Sequence, residues 1–282
     1  MTVAFQGFPG AYSDLASRTV FPTGKTIPCF SFEEVFEKVR KGIVDVGIIP
    51  IDNSIAGREA DIHHLLPESK VFIVGEHFQP VRHQLLAPKG ASLKKVKEVH
   101  SHIHALNQCR KFIAAHKLKA VVHADTAGAA ADIAARNDKG VAAVASSLAG
   151  EIYHLKVLSK DIEDQAHNTT RFIIVAKKPN ADVSQPRTPM ITSFIFRVRS
   201  VPAALYKAIG GFATNDVNIT KLESYIIDPQ FTVAQFYVDV EGHPEEHSMK
   251  LAFEELAFFS EEVRVLGVYP AHPFRFRNRT SS

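Results

Sequence analysis

Four short polar segments carry the groups with which this chain can do chemistry. Asn168-Thr169-Thr170-Arg171-Phe172 sets two hydroxyls beside a guanidinium, and Pro50-Ile51-Asp52-Asn53-Ser54 sets an amide between a carboxylate and a hydroxyl. Ser101-His102, with Gln108 further along and Asp125-Thr126-Ala127 beyond it, forms a third group; Gly7-Phe8-Pro9-Gly10-Ala11-Tyr12-Ser13 is a glycine-rich loop that ends on a hydroxyl. Ser13, Asn53, Ser101, Gln108, Thr126 and Thr170 are neutral hydrogen-bond donors that can stabilise charge developing on an oxygen. Arg171 is the permanent cation of its segment. Its planar fork suits a carboxylate. It can equally orient Thr170 from behind, because adjacent strand residues face opposite sides. Each segment also has a plainer reading. Thr169 and Thr170 are good strand formers, Asn53 and Ser54 suit a turn or a helix cap, and Ser101 and Asp125 suit caps. The glycine loop is a strand-to-helix connection that can hold an anion; it lacks the GxGxxG fingerprint.

His100, His102 and His104 recur at alternate positions, and His63 and His64 are adjacent. No partner cysteine or HExxH-like spacing turns them into a metal site, so they read as surface or helix-start residues. The two cysteines, Cys29 and Cys109, cannot build a disulfide framework and imply a reducing compartment. Thirty-three basic against 30 acidic residues leave a net charge of +3, too balanced for nucleic acid as the main partner. The start MTVAFQGFPG lacks the marks of a signal peptide, and no stretch has the roughly 18 apolar residues of a membrane span. A cytoplasmic location is expected.

The elements that would position these groups alternate. Thr2 to Gln6 reads as a strand entering the glycine loop, and Ser13 opens a helix. Ser31 and Glu34 make a capping-box pattern ahead of Phe32, Val35, Phe36 and Val39 at helical spacing. Val44 to Ile49 is a buried strand running into turn residues Pro50, Asp52, Asn53 and Ser54. Val71 to Gly75, His83 to Ala87, Lys119 to His123, Val141 to Ala145 and Arg171 to Ala176 read as strands. Leu106, Cys109, Phe112 and Ile113 suggest one helix, and an alanine-rich helix runs to Arg136. Strand and helix in alternation predict an α/β fold. Lys177 to Met190, with Pro179, Pro186 and Pro189, is a polar linker. A unit of about 80 residues follows: strand Ile191 to Val198, helix Pro202 to Phe212, strands Val217 to Ile227 and Phe231 to Val240, helix Pro244 to Phe258, strand Val263 to Val268. That βαββαβ order is ferredoxin-like. After Pro273 the tail, with Arg275, Arg277 and Arg279 among Phe274 and Phe276, reads as a solvated, flexible end.

Taken in order, the four segments resemble the prephenate dehydratase family: its opening glycine-rich loop, its Pro-x-Glu-Asn-Ser/Thr segment, its Ser-His and Asp-Thr-Ala positions, and its Asn-x-Thr-Arg-Phe signature. The resemblance extends over the whole chain, since the C-terminal unit looks like an ACT domain. It implies a catalytic domain at 1–178 of two α/β lobes like the type II periplasmic binding proteins, with lobe 1 about 1–80 and 165–178 and lobe 2 about 81–164. A linker at 179–190, an ACT regulatory domain at 191–272 and a tail at 273–282 would follow. It implies loss of carbon dioxide and hydroxide from prephenate to give phenylpyruvate, a reaction that needs no cofactor or metal. By carry-over, Thr170, Asn53, Ser101, Gln108 and Arg171 would be catalytic. Ser13, Asn53, Ser54, Thr126, Ala127, Thr170, Arg171 and Phe172 would bind substrate. Thr170, a poor acid in water, would act as a hydrogen-bond donor or relay to the leaving oxygen. Two departures stand out: Asp52 where the family often has glutamate, and His154 where it often has a glycine, a change that a positive φ would make strained.

Pro202-Ala203-Ala204-Leu205 resembles the family's Gly-Ala-Leu segment, and Leu222-Glu223-Ser224-Tyr225 its Glu-Ser-Arg-Pro segment. In relatives these line a phenylalanine site between paired regulatory domains. The resemblance therefore implies Ala203, Ala204, Leu205, Asn218, Leu222, Glu223 and Ser224 as effector-binding residues, phenylalanine as effector, and self-association through the ACT domain as a dimer or tetramer. Ala203 in place of the glycine and Tyr225-Ile226 in place of Arg-Pro bear on that site. Arogenate in place of prephenate, and a non-catalytic small-acid sensor of the same fold, are the alternative functions.

Overall fold

The computed structural model describes residues 1–180, 189–199, 201–227 and 233–277. Along the chain the elements are β1 (Thr2–Gln6), α1 (Tyr12–Val20), β2 (Lys25–Cys29), α2 (Phe32–Lys41), β3 (Val46–Asn53), β4 (Gly57–Arg58), α3 (Ala60–Glu68), β5 (Phe72–Pro80), β6 (Gln84–Ala87) and β7 (Glu98–Ser101). There follow α4 (Ile103–Gln108), α5 (Arg110–Ala115), β8 (Lys119–Val122), α6 (Thr126–Arg136), β9 (Val141–Ala145), α7 (Ser147–Ile152), β10 (Lys156–Ser159) and β11 (Thr169–Ala176). The C-terminal elements are β12 (Met190–Val198), α8 (Ala204–Thr214), β13 (Ile219–Ile226), β14 (Ala234–Glu241), α9 (His247–Phe259) and β15 (Ser260–Pro270), then a 3-10 turn at Pro273–Phe276.

These elements form two compact units. One comprises Met1–Val35, Gly47–Glu59 and His77–Phe172; the other comprises Phe36–Val46, Ala60–Glu76 and Ile173–Ser282. The division does not fall at the polar stretch read as a linker, of which 181–188 lie outside the described residues.

The first unit has two α/β lobes. One carries strands in the order β11–β3–β1–β2, with β4 on β3; the other carries β10–β6–β9–β7–β8. In the second lobe β7 runs parallel to β8 and β9, and β6 antiparallel to β9 and β10. Its two faces are filled by separate clusters, Leu85, Val99, Leu106, Cys109 and Val144 on one and Leu86, Ala129, Ala130, Ile133 and Ala149 on the other. Alanines dominate the second cluster, which lets α6 lie close to the sheet. The capping pattern at Ser31 is realised with a shift of one residue: Ser31 Oγ accepts from Glu34 N (3.3 Å), and Glu34 reaches back to Phe30 N (2.7 Å).

Three expectations change. The Leu106–Ile113 stretch is two short helices, because Cys109 leaves the helical region (φ −119°, ψ 22°). Pro50 to Asn53 continue β3 instead of forming a turn, since Asp52 and Asn53 pair with Arg58 and Gly57 in a hairpin whose turn lies one residue later. The start of the expected C-terminal helix moves from Pro202 to Ala204, with Ala203 before it in the left-handed region (φ 59°).

The second unit has the ferredoxin-like sheet order β13–β14–β12–β15, antiparallel throughout, with α8 and α9 packed on one face around Phe194, Phe212, Met249 and Leu256. β5 lies parallel beside β15 at Gly267↔Ile73, where a Cβ on Gly267 would sit 2.1 Å from the Ile73 carbonyl oxygen. Below the helices Asp239, fully buried, accepts from Ser193 Oγ, which also lies 2.7 Å from the Tyr269 hydroxyl. The tail is not loose over its described part. Arg275 grips Glu76, whose side chain is 0% exposed, through two parallel bonds of 2.7 and 2.8 Å, and donates to Thr220 Oγ1 at 3.2 Å. His272 N adds a bond to the same carboxylate (3.0 Å). A buried carboxylate needs such a partner, and this one draws the C-terminus down onto the fold.

Candidate functional site

A cavity of about 550 Å³ lies between the two lobes of the first unit. Two crossing segments form its back. Val81 N donates to the Asn168 carbonyl (2.9 Å) and Ile162 N to the His83 carbonyl (3.0 Å). Glu163, nearly fully buried, receives His83 N and Arg82 Nη1, both at 2.9 Å. The glycine loop closes one end. Gly10, at φ +90°, approaches so near α7 that a Cβ would sit 2.7 Å from Ala149 Cα. Ser146 Oγ donates to the Gly10 carbonyl and Tyr153 to that of Pro9, while Gly10 N donates to buried Asp14. His154, next to Tyr153, has φ +54°, so the histidine does occupy a conformation suited to glycine.

Across the cavity runs a chain of hydrogen bonds whose sense is set by the backbone. Asn53 Oδ1 accepts from the N–H groups of Ile55 (2.9 Å) and Ala56 (2.8 Å). Its Nδ2 therefore faces inward and donates to Asn168 Oδ1 (2.8 Å) and Thr170 Oγ1 (2.9 Å). Asn168 Nδ2 then donates to Gln108 Oε1 (2.8 Å), which also receives His83 Nε2–H (2.8 Å). His83 Nδ1 is left as an acceptor 2.9 Å from the Tyr12 hydroxyl, whose proton it shares with the Arg82 carbonyl at 3.0 Å. Burial lowers the His83 pKa below the usual histidine range, and burial, then the charges facing it, raises that of Tyr12. Both groups are thus neutral near pH 7. Thr170 Oγ1 has accepted its bond and keeps its own proton to give.

Of the sequence-predicted residues, Ser13, Asn53, Gln108, Thr126, Thr170 and Phe172 line this cavity. Ser101, Ser54, Ala127 and Arg171 do not. Ser101 is fully buried and donates to the Val144 carbonyl (2.6 Å), tying β7 to β9. Ser54 braces the return segment, donating to the His167 carbonyl (2.7 Å) and accepting from Thr169 N (3.0 Å). Ala127 packs inside α6. Arg171 alternates away from Thr170 and Phe172 and lies 3.6 Å from Asp52, with 7% of its side chain exposed. Asp125 is the N-cap of α6, accepting from Gly128 N, and His102 is the N-cap of α4. His100 is buried in β7, 3.5 Å from Glu98, and is not a surface residue.

Sequence reasoning gave no role in the site to Tyr12, His83, His104 or Arg58, all of which line the cavity. Tyr12 lies inside the glycine-loop segment, which was the available signal. Arg58 is the permanent cation among the described lining residues, and a Gly-Arg pair in a hairpin carries no mark of its role. In the second unit, Ala203, Ala204 and Leu205 line a cavity of about 560 Å³ with Arg199 and Glu261. Asn218, Leu222, Glu223 and Ser224 are not part of it; Asn218 bonds Glu241 (3.0 Å), and Glu223 pairs with Lys221 (3.2 Å).

The family model described as prephenate dehydratase matches residues 3–180. The chain is 48% identical over 273 residues to a bifunctional N-acyl-homoserine lactone acylase/prephenate dehydratase of Komagataeibacter europaeus, covering 97% of each. It is 36% identical over 285 residues to arogenate dehydratase 2 of Petunia hybrida, covering 96% of this chain and 72% of that one. A solved prephenate dehydratase from Arthrobacter aurescens in complex with L-Phe superposes with a TM-score of 0.86 at 28% identity, covering 96% of this chain and 90% of that chain. The match of the family model over residues 3–180, and of these proteins over most of the chain, places it in the prephenate dehydratase family of carbon–oxygen lyases.

Proposed function

We propose that the chain converts prephenate and one proton from solvent to phenylpyruvate, carbon dioxide and water. The observation that carries this reading is the fixed sense of the hydrogen-bond chain, which leaves the Thr170 hydroxyl as a donor into the cavity. In the reaction the ring carboxylate leaves as carbon dioxide, its electron pair enters the ring, and the carbon–oxygen bond to the hydroxyl breaks. Thr170 would donate to that oxygen as it takes on negative charge. Asn53, pinned by two backbone N–H groups, would hold Thr170 in place and need not reorganise as charge develops. Arg58 would hold a substrate carboxylate by a charge-assisted bond. Arg171, which does not line the cavity and pairs with Asp52, which does, would act as a positioning residue for Thr170. Phe32, Val81 and Phe172 supply apolar walls for the ring. The same arrangement suits arogenate, which bears an amine in place of the ketone.

The expected division into a catalytic domain at 1–178 and an ACT domain at 191–272 goes with this reading, with phenylalanine as an effector near Ala203–Leu205. The L-Phe complex of the Arthrobacter aurescens relative supports an effector. The open edge of β13 offers a route to pairing with a second copy.

A second reading, amide hydrolysis of N-acyl-homoserine lactones, comes from the Komagataeibacter europaeus relative. It is favoured here by an apolar pocket adjoining the cavity.

The test is phenylpyruvate formation by the purified chain from prephenate, with and without phenylalanine, and phenylalanine formation from arogenate in parallel. Turnover of prephenate slowed by phenylalanine is expected. Turnover of arogenate alone would reassign the substrate, and a folded sample that turns over neither would leave the non-catalytic sensor.

A further inference from the structure

We propose that the apolar pocket beside the catalytic cavity is a subsite for an unbranched alkyl or acyl chain whose polar head lies in that cavity. The pocket has a volume of about 500 Å³. Its walls are Phe8 and Pro9 of the glycine loop, Pro28 of β2 and Phe30 from the turn between β2 and α2. Its floor, Ser13 and Thr126, belongs to the catalytic cavity as well, so the two spaces adjoin there.

Three observations give the pocket its chemistry. Two backbone donors along its walls are already engaged: Gly7 N donates to the Cys29 carbonyl (2.9 Å), and Phe30 N to Glu34. The charged side chain in its lining, Asp125, is turned onto Gly128 N as a helix cap at 2.6 Å. Away from the hydroxyls of Ser13 and Thr126 at its floor, the lining offers a ligand apolar contact and no cation to pair with an anionic group. The aromatic walls, meanwhile, are left open, with Phe30 92% and Phe8 47% exposed. Single exposed phenylalanines are ordinary, but two phenylalanines and two prolines around one concavity next to a polar cavity are an apolar patch with a shape. The dehydration described above places the substrate's one ring against Phe32, Val81 and Phe172 and makes no use of this space. A flexible hydrocarbon chain fits it, because the walls discriminate by apolar area alone.

The choice of head group rests on the acylase reading; the existence of the chain subsite does not. The experiment is a calorimetric titration of the full chain with butanoyl-, hexanoyl-, octanoyl- and decanoyl-homoserine lactone, and with free fatty acids of the same lengths. Binding should tighten about fourfold per added methylene, the equivalent of about 0.8 kcal/mol per buried CH₂, until the pocket is filled. Phe30→Asp should flatten that gradient while leaving prephenate turnover and the melting temperature unchanged; Phe30→Ser does the same should the charge disturb the turn. Affinity independent of chain length, or a gradient that survives both variants, would overturn the subsite. A gradient shared equally by fatty acids and lactones upholds the subsite. A separate assay for release of the free amine of homoserine lactone judges the acylase reading by itself.

Discussion

Thr170 is useful because of what its neighbours have taken from it. Asn53 occupies one acceptor position of the hydroxyl, and Asn53 is itself held by the backbone of the hairpin turn, so the proton has one direction left, into the cavity. Thr170→Val should lower kcat by about 10²–10⁴-fold, with a melting temperature close to that of the unaltered protein, measured by phenylpyruvate release and thermal unfolding. Arg58→Gln should act differently. Losing one charge-assisted bond to a carboxylate should raise KM roughly 10–100-fold with kcat little changed, whereas Arg171→Lys should leave KM near its original value. The donors at Asn53, Gln108 and Thr170 were legible because their residue types and order are distinctive. Arg171 carried two readings, carboxylate ligand and support for Thr170, because strand alternation alone could not say which face the cavity takes. Ser101 misled for another reason: a hydroxyl next to a histidine fits a site, but its bond to a neighbouring strand's carbonyl is invisible until the sheet is built.

At the scale of elements, the strands and helices with clear periodicity lie where the sequence puts them, and the ferredoxin-like order of the C-terminal unit follows from period alone. The misplaced boundaries have local causes: the break at Cys109 and the hairpin that extends β3 past Pro50 both depend on pairing with residues outside the segment. The glycine loop depends on its partner helix in the same way. Its carbonyls are held by Ser146 and Tyr153, and His154 ends that helix in the left-handed region. A side chain there costs about 1–2 kcal/mol, partly offset in the unfolded chain. His154→Gly should therefore raise the melting temperature by about 1–4 °C, and His154→Ala should not, since alanine keeps the Cβ. Gain from both variants would mean that the imidazole itself, and not backbone strain, is unfavourable there.

For the whole molecule, stability should depend on pH through His83. The unfolded chain takes up a proton on this ring near pH 6.5, whereas the folded chain, which buries it, does so only at lower pH. Between those values the unfolded state binds more protons, so stability falls as the pH drops below about 6.5. Melting temperatures across about pH 5–8 should show that decline, and His83→Gln should make it shallower. The second global determinant is the Arg275–Glu76 pair. Arg275→Ala takes the guanidinium from a buried carboxylate and should cost about 3–5 kcal/mol, part of which Glu76→Gln in the same chain should restore, as read by denaturant unfolding. That pair also has a consequence in time. Its members are 199 residues apart, and a ribosome adds residues at about 5–20 per second. Glu76 is thus synthesised roughly 10–40 seconds before the arginine that neutralises it. During that interval Glu76 lacks the guanidinium that it meets in the folded protein, so the C-terminal unit reaches its final form only after Arg275 has been made.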